Sequence, residues 1–400
     1  MGITRISTSG QYQFSLNLML AKQRDLAKTY QQVSSGSKLI SGADDPLGAG
    51  RAQALDRGIA RMDQYSSNAH SVQSRLNQQE GVLAQAGDLL TRVRELTVQA
   101  NTGTLSEADR RSLAGEVSSI RDQLLALANT DDGMGNHLFG GTTDQNAPFV
   151  LSGGGVAYVG DQNQRKVEVA SGQQVDDSAP GSEVFMRIRT GDGRLDMSPD
   201  AGNTGTGVVS DFGVTNLSTW NQASYQVVFT GTDTYEIHDA SGTVTSTGNY
   251  SPGEAVEYAG TRFQVSGQPA AGDRFAVGPA GTRDIFATLQ GLVDALKSPA
   301  ASASEVAAQQ NTLSGALRDI STATDHFIDV RAQGGSNLAA IDNAGALNES
   351  RTIAAKTDLS SIRDLDYAEA LSRYSQQSVA LEAAQKVFAR FQQMSLFDSI

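Results

Sequence analysis

The sequence predicts an α+β fold: an elongated α-helical bundle or coiled coil formed by both chain ends, with a β-rich domain inserted between them. Residues 1–145 and 284–400 hold few prolines and repeat apolar residues at alternating 3-4 spacing, the seam of a bundle or coiled coil. Residues 150–283 hold 21 of the 41 glycines and the only tryptophan, and there the apolar period drops towards two. These shifts divide the chain into a terminal helical region (1–42), a first part of the helical domain (43–149), the β insert (150–283), a second helical part (284–360) and a C-terminal helical region (361–400).

The first helix carries the seam Tyr12, Leu16, Met19, Gln23, Leu26, Tyr30 and Val33. The string SGADDPLGAG then sets up a helix start, with Pro46 at the first helical position and the carboxylates of Asp44 and Asp45 placed to receive orphan amides. A longer seam follows: Met62, Tyr65, Ala69, Val72, Leu76, Gln79, Leu83, Ala86, Leu90, Val93, Thr97 and Ala100. At ~1.5 Å per residue this helix spans about 57 Å. Thr104 with Glu107 reads as a capping box ahead of a third helix, whose seam is Leu113, Val117, Ile120, Leu124 and Leu127.

In the insert, VAYVG (156–160), RKVEVA (165–170), EVFMRI (183–188), SYQVVF (224–229), TYEIHD (234–239), AVEYAG (255–260), TRFQVSG (261–267) and DRFAVG (273–278) read as strands separated by Ser-Gly, Asp-Gly and Pro-Gly turns. The helical pattern resumes with Val306, Gln310, Leu313, Leu317, Ile320, Thr324 and Phe327. It closes with Ala370, Tyr374, Gln377, Leu381, Ala384, Phe388 and Phe391.

An isolated amphipathic helix of some twenty residues is marginal in water, so both terminal seams need partners. Either they pair with each other and with the central bundle inside one monomer, or neighbouring subunits bury them and folding is coupled to assembly. The string SSGSKLISG (34–42) favours a loose joint behind the first helix.

Composition narrows the function classes. No cysteine is present, which excludes disulfides, thiolate metal sites and cysteine nucleophiles. A net charge of −13 argues against a general nucleic-acid binder, although residues 1–38 carry five cations against Asp25, the pattern of a solvated helix face. No apolar run approaches the roughly 18 residues of a membrane span, and MGITRISTSGQYQF lacks the apolar core of a secretory signal. His70, His137, His238 and His326 are scattered, with no paired-ligand spacing, and there is no GxSxG elbow or Gly-Lys phosphate loop. GDGRLD (191–196) and DDGMGN (131–136) read as polar turns or as calcium loops, but neither completes an EF-hand pattern. No catalytic, cofactor or metal site is expected, and the chain is read as a non-enzyme.

Several longer strings resemble flagellar proteins. QQVSSGSKLISGADDPLGAGRA (31–52) and LTRVRELTVQANTGTLSEADR (90–110) are similar to segments shared by flagellins and hook-associated proteins. NHLFGGTTDQNAPF (136–149), GQPAAGDRFAV (267–277) and the C-terminal stretch 363–400 resemble the hook-associated protein 3 family. The resemblance implies an extracellular subunit of the flagellum, exported through the type III apparatus without a cleaved signal. It would form a homo-oligomeric ring between hook-associated protein 1 and flagellin. A cytoplasmic chaperone would guard the C-terminal helix, and neither nucleic acid nor membrane insertion is implied. The resemblance assigns inter-subunit packing to Tyr12, Leu16, Met19, Leu26, Tyr30, Val33, Tyr374, Leu381, Phe388 and Phe391. RVREL (92–96) matches a flagellin stretch read by a host innate receptor, which requires Arg92 to stand on an exposed face. Two alternatives share these strings: flagellin itself, and a flagellar surface protein with an adhesive β domain.

Overall fold

The computed structural model describes residues 8–102 and 105–397, with side chains described for residues 10, 12–102 and 105–390. Three helices open the chain: α1 (Thr8–Ser35), α2 (Pro46–Ala100) and α3 (Glu107–Ala128). Fourteen short strands follow among the described residues, and then α4 (Ile285–Lys297), α5 (Ala303–Arg363) and α6 (Tyr367–Phe397). The fold is thus the α+β arrangement of helical ends around a strand-rich middle. Two compact units result, one of residues 1–67 with 344–400 and one of residues 68–343, and the division falls inside α2 and α5.

Helix starts follow local chemistry. Asp45 Oδ1 accepts the Gly48 amide at 2.9 Å, so Asp45 caps α2 with Pro46 at its first position. Asp44 does not cap. It closes the preceding turn by accepting the Ile40 and Ser41 amides at 3.2 and 2.9 Å, and pairs with Lys28 at 2.7 Å. The box before α3 also differs from expectation: Ser106 and Asp109 exchange the capping bonds, and Thr104 lies outside the described residues. Glu107 already stands inside the helix, so the register of the box moves by two residues.

In the unit of residues 68–343, the strands form antiparallel sheets. β1 (Phe149–Ser152) pairs with β2 (Gly155–Tyr158), and β3 (Lys166–Ala170) with β4 (Gln173–Asp176). Further on come β5 (Ile188–Arg189), β6 (Leu195–Pro199), β7 (Val208–Val214), β8 (Tyr225–Phe229), β9 (Thr234–Asp239) and β10 (Val244–Asn249). The last four are β11 (Ala255–Tyr258), β12 (Thr261–Ser266), β13 (Arg274–Pro279) and β14 (Thr282–Arg283). One sheet runs β10-β9-β8-β13-β6, a second β11-β12-β7, and β5 pairs with β14. Alternation places Tyr225, Val227 and Phe229 of β8 inside, with Phe275 and Val277 of β13. Val209 and Phe212 of β7 are both buried although three residues apart, because the ladder with β12 slips between Gln264 and Val265.

EVFMRI is not a strand. Residues Ser182–Met186 form a single wide helical turn, which lets the adjacent Val184 and Phe185 both become fully buried. A strand would have sent them to opposite faces. Phe185 instead meets Phe139, Phe149, Phe286 and Phe327, with ring centroids 5.1 to 6.2 Å apart. This aromatic group belongs to a helical core built from α2, α3, α4 and α5. A separate apolar core, including Leu195, Tyr225, Phe229, Phe263 and Phe275, fills the strand insert.

The expected seams of α2 and α3 are largely inside: Ala69 through Ala100 at every seam position, and Leu113, Val117, Ile120 and Leu124. The α5 seam is only partly so. Val306 is 39% exposed, and the buried face runs through Ala307, Leu313, Ala316, Ile320, Ala323 and Phe327. Ala316, Ile320, Ala323 and Phe327 on this face join the helical core, while Asn311 and Asp319 beside them bond to the strand insert.

Candidate assembly interface

In the unit holding the chain ends, α1 lies against α6. The Tyr12 ring meets Phe388 with centroids 5.3 Å apart, and Tyr30 meets Tyr374 at 6.3 Å. Between these ring pairs, Thr29 Oγ1 donates to Gln377 Oε1 at 2.8 Å. The expected seams therefore face each other within one chain. Leu16, Met19, Leu26, Val33, Tyr374, Leu381 and Phe388 are half-buried, while Tyr12 and Tyr30 stay 48% and 62% exposed. Phe391 falls outside the described side chains.

The 34–42 joint is bonded rather than loose. Lys38 donates its amide to the Arg363 carbonyl at 2.7 Å, and Leu365 donates to the Gly36 carbonyl at 3.1 Å. Gln32 Nε2 donates to the Lys38 carbonyl at 2.8 Å. Gly36 is required here by geometry. Its φ is +68°, and a Cβ would stand 2.7 Å from the Tyr367 hydroxyl. The Lys28 ammonium hydrogen-bonded to Asp44, helped by the Ser41 amide, lowers the Asp44 carboxyl to a pKa of about 2.

What this pairing leaves open is apolar. Phe14 and Leu18 on α1 are 69% and 47% exposed, and Leu371, Val379 and Val387 on α6 are 52–63% exposed. Among the described side chains, α1 fully buries only Thr29 and Gln32, and α6 only Ala370. By contrast α4 buries Ile285, Phe286, Leu289, Leu292, Val293 and Leu296. The exposed residues stand one turn apart on α1, whereas the eight-residue steps on α6 turn by about 80° each and spread them around that helix. Such spacing was legible in the sequence, but the stronger 3-4 seam beside it masked it.

The remaining motifs resolve into structure. Asp192 closes its turn on the Arg194 and Leu195 amides at 2.8 and 2.6 Å. Asp132 does the same with Met134 and Asn136. Among the described residues no group of three metal-ligating side chains occurs, and no helix is long and apolar enough to cross a membrane. Arg92 is tied to Glu116 at 2.8 Å and Glu95 at 3.0 Å, which raises its pKa. Sequence reasoning missed Arg75. Its guanidinium is buried 3.6 Å from each of Asp132, Asp144 and Asp177, and it donates to the His137 carbonyl at 2.8 Å. This arrangement pins the NHLFGG segment against α2.

Comparison with known proteins places these features. Residues 6–144 match the model of the bacterial flagellin N-terminal helical region. The crystal structure of Xanthomonas campestris FlgL is 49% identical, aligned over 76% of this chain and 99% of that one, with a TM-score of 0.72. Flagellar hook-associated protein 3 from Legionella pneumophila is 31% identical over 78% and 98%, with a TM-score of 0.73. The chain belongs to the hook-associated protein 3 family. Hook-associated protein 3 of Escherichia coli K12 is 27% identical across 98% of both chains, so the likeness runs through the strand insert as well as the helical ends. Membership in the hook-associated protein 3 family makes the chain a structural protein of the bacterial flagellum.

Proposed function

We propose that the chain is the subunit of the hook–filament junction, a homo-oligomeric ring seated between hook-associated protein 1 and the flagellin filament. In this reading residues 1–42 and 361–400 are the assembly arms. Tyr12, Leu16, Met19, Leu26, Tyr30, Val33, Tyr374, Leu381, Phe388 and Phe391 serve them, joined by the exposed Phe14, Leu18, Val379 and Val387. The subunit leaves the cell through the type III apparatus, with a chaperone covering the C-terminal helix beforehand. The observation that carries this reading is the apolar surface left bare on α1 and α6. Apolar side chains left exposed on two paired helices point to an interaction surface.

Co-sedimentation of the purified chain with and without hook-associated protein 1 tests the reading. Short or no polymers alone, and a pelleting complex with the partner, are the expected result. Robust filaments formed by the chain alone would assign it to the filament instead.

A further inference from the structure

The later strands of the insert, β6–β13, and the helical stem that carries them do not share an apolar core. Leu195, Met197, Phe275 and Val277 belong to the insert core, whereas Ile188, Ile285 and Phe286 belong to the stem core. Between them runs a cleft of about 440 Å³, lined by polar groups such as Asn311, Arg318 and Asp319 and by apolar ones such as Met197, Val209 and Leu292. Across this cleft one face of α5 reaches the insert. Asn311 accepts the Val209 amide at Oδ1 and donates from Nδ2 to the Gly207 carbonyl, both at 2.9 Å. Asp319 Oδ1 accepts the Gly191 amide at 2.9 Å, and its other oxygen accepts from Arg283 at 2.7 Å. Thr322 donates to the Gly191 carbonyl at 3.0 Å. The Arg318 guanidinium lies over the Phe212 ring, 4.7 Å from its centroid.

We propose that the strand insert is a rigid body that turns on the stem, its angle set by the Asn311–Asp319–Thr322 latch and not by a shared apolar core. Three observations support this. The covalent crossing is narrow, consisting of the paired β5 and β14, two residues each. The two bodies keep separate apolar cores, and relative motion is expected unless an interface is large and hydrophobic. The latch also bonds backbone groups, and backbone bonds hold one angle: Asn311 pairs with β7 as a further strand would, and Gly191 has both its amide and its carbonyl taken by α5. Gly191 itself admits no side chain, since its φ is +64° and a Cβ would run into the Leu195 carbonyl oxygen. The angle fixed in this way decides what the insert presents to its surroundings, independently of whether the chain ends form the junction.

The absence of cysteine makes the test direct. Ser74→Cys on α2 and Ser241→Cys in the β9–β10 turn, both exposed, carry a spin-label pair in the full chain. The labelled parent is expected to give one narrow distance distribution. Asn311→Leu with Asp319→Asn is expected to broaden it at least two-fold while the emission of Trp220, inside the insert, stays that of the folded protein. An unchanged width in the double variant overturns the proposal. So does a shift of Trp220 emission to that of unfolded chain, because the insert would then depend on the latch for folding. Asn311→Leu alone, read the same way, is expected to give an intermediate width, and unfolding of the insert in this milder variant is equally decisive against it.

Discussion

Single residues in the insert carry most of its local strain. Ala259 and Gly260 form the two-residue turn between β11 and β12, with φ of +47° and +79°. A turn of this hand wants Gly or Asn at both places, so Ala259 holds a strained conformation costing about 1 kcal/mol. Ala259→Gly is expected to stabilise the insert by ~0.5–1 kcal/mol, seen as a higher midpoint when unfolding is followed by Trp220 emission. Asp273 works in the opposite sense. Buried, it accepts the Thr204, Gly205 and Ala270 amides at 2.8, 3.1 and 2.9 Å. Asp273→Ala orphans these amides and is expected to cost about 1–3 kcal/mol by the same measurement. This is the physical content of the GQPAAGDRF string: an aspartate that ties two loops together, recognisable as a pattern but not derivable from periodicity. At the other end of the chain, Asp44 has its folded pKa lowered from 3.8 to about 2. Its contribution is fully present above pH ~4 and fades as pH falls towards 2. Acid unfolding of the parent and of Asp44→Asn should therefore differ at pH 5 and converge near pH 2.

At the scale of elements, sequence period reports burial only where one face of a helix or strand meets one partner. The seams of α2 and α3 were readable over Ala69–Ala100 and Leu113–Leu124, but Met62, Tyr65 and Leu127 at their ends are only half-buried. The α5 seam failed at Val306, which is exposed while its neighbour Ala307 is buried. EVFMRI failed because a wide turn buries consecutive residues, which no alternation announces. The terminal seams were readable as seams, yet whether they close within one chain was not, since 3-4 spacing is the same for either partner. Burial now separates the two classes of helix. Leu289 in α4 is fully buried, and Leu289→Ala is expected to cost ~2–5 kcal/mol in thermal unfolding of the isolated chain. Leu381 is only half-buried on α6, so Leu381→Ala should cost less, about 1 kcal/mol or under. The proposed interface reverses the order: Leu381→Ala should weaken co-sedimentation with hook-associated protein 1 more than Leu289→Ala does.

For the whole molecule, three layers of cohesion differ in strength. The stem core is large, aromatic and closed, and the insert has its own closed core. The paired ends hold by ring contacts, a few hydrogen bonds and a bonded joint, while much of their apolar surface stays in water. A subunit built this way is folded at its centre and incomplete at its ends, the condition under which other subunits supply the missing burial. The fold class and the family were legible from the sequence because they rest on long periodic stretches and on whole strings. The polar devices were not legible, since Arg75, Asn311 and Asp319 gain their roles from partners 36 or more residues away. Amide hydrogen exchange on the isolated full-length chain tests this gradient most directly. The account predicts that amides in α1 and α6 exchange orders of magnitude faster than those of Leu124 in α3 and Leu289 and Leu292 in α4. Equal protection of the ends and the centre would contradict it.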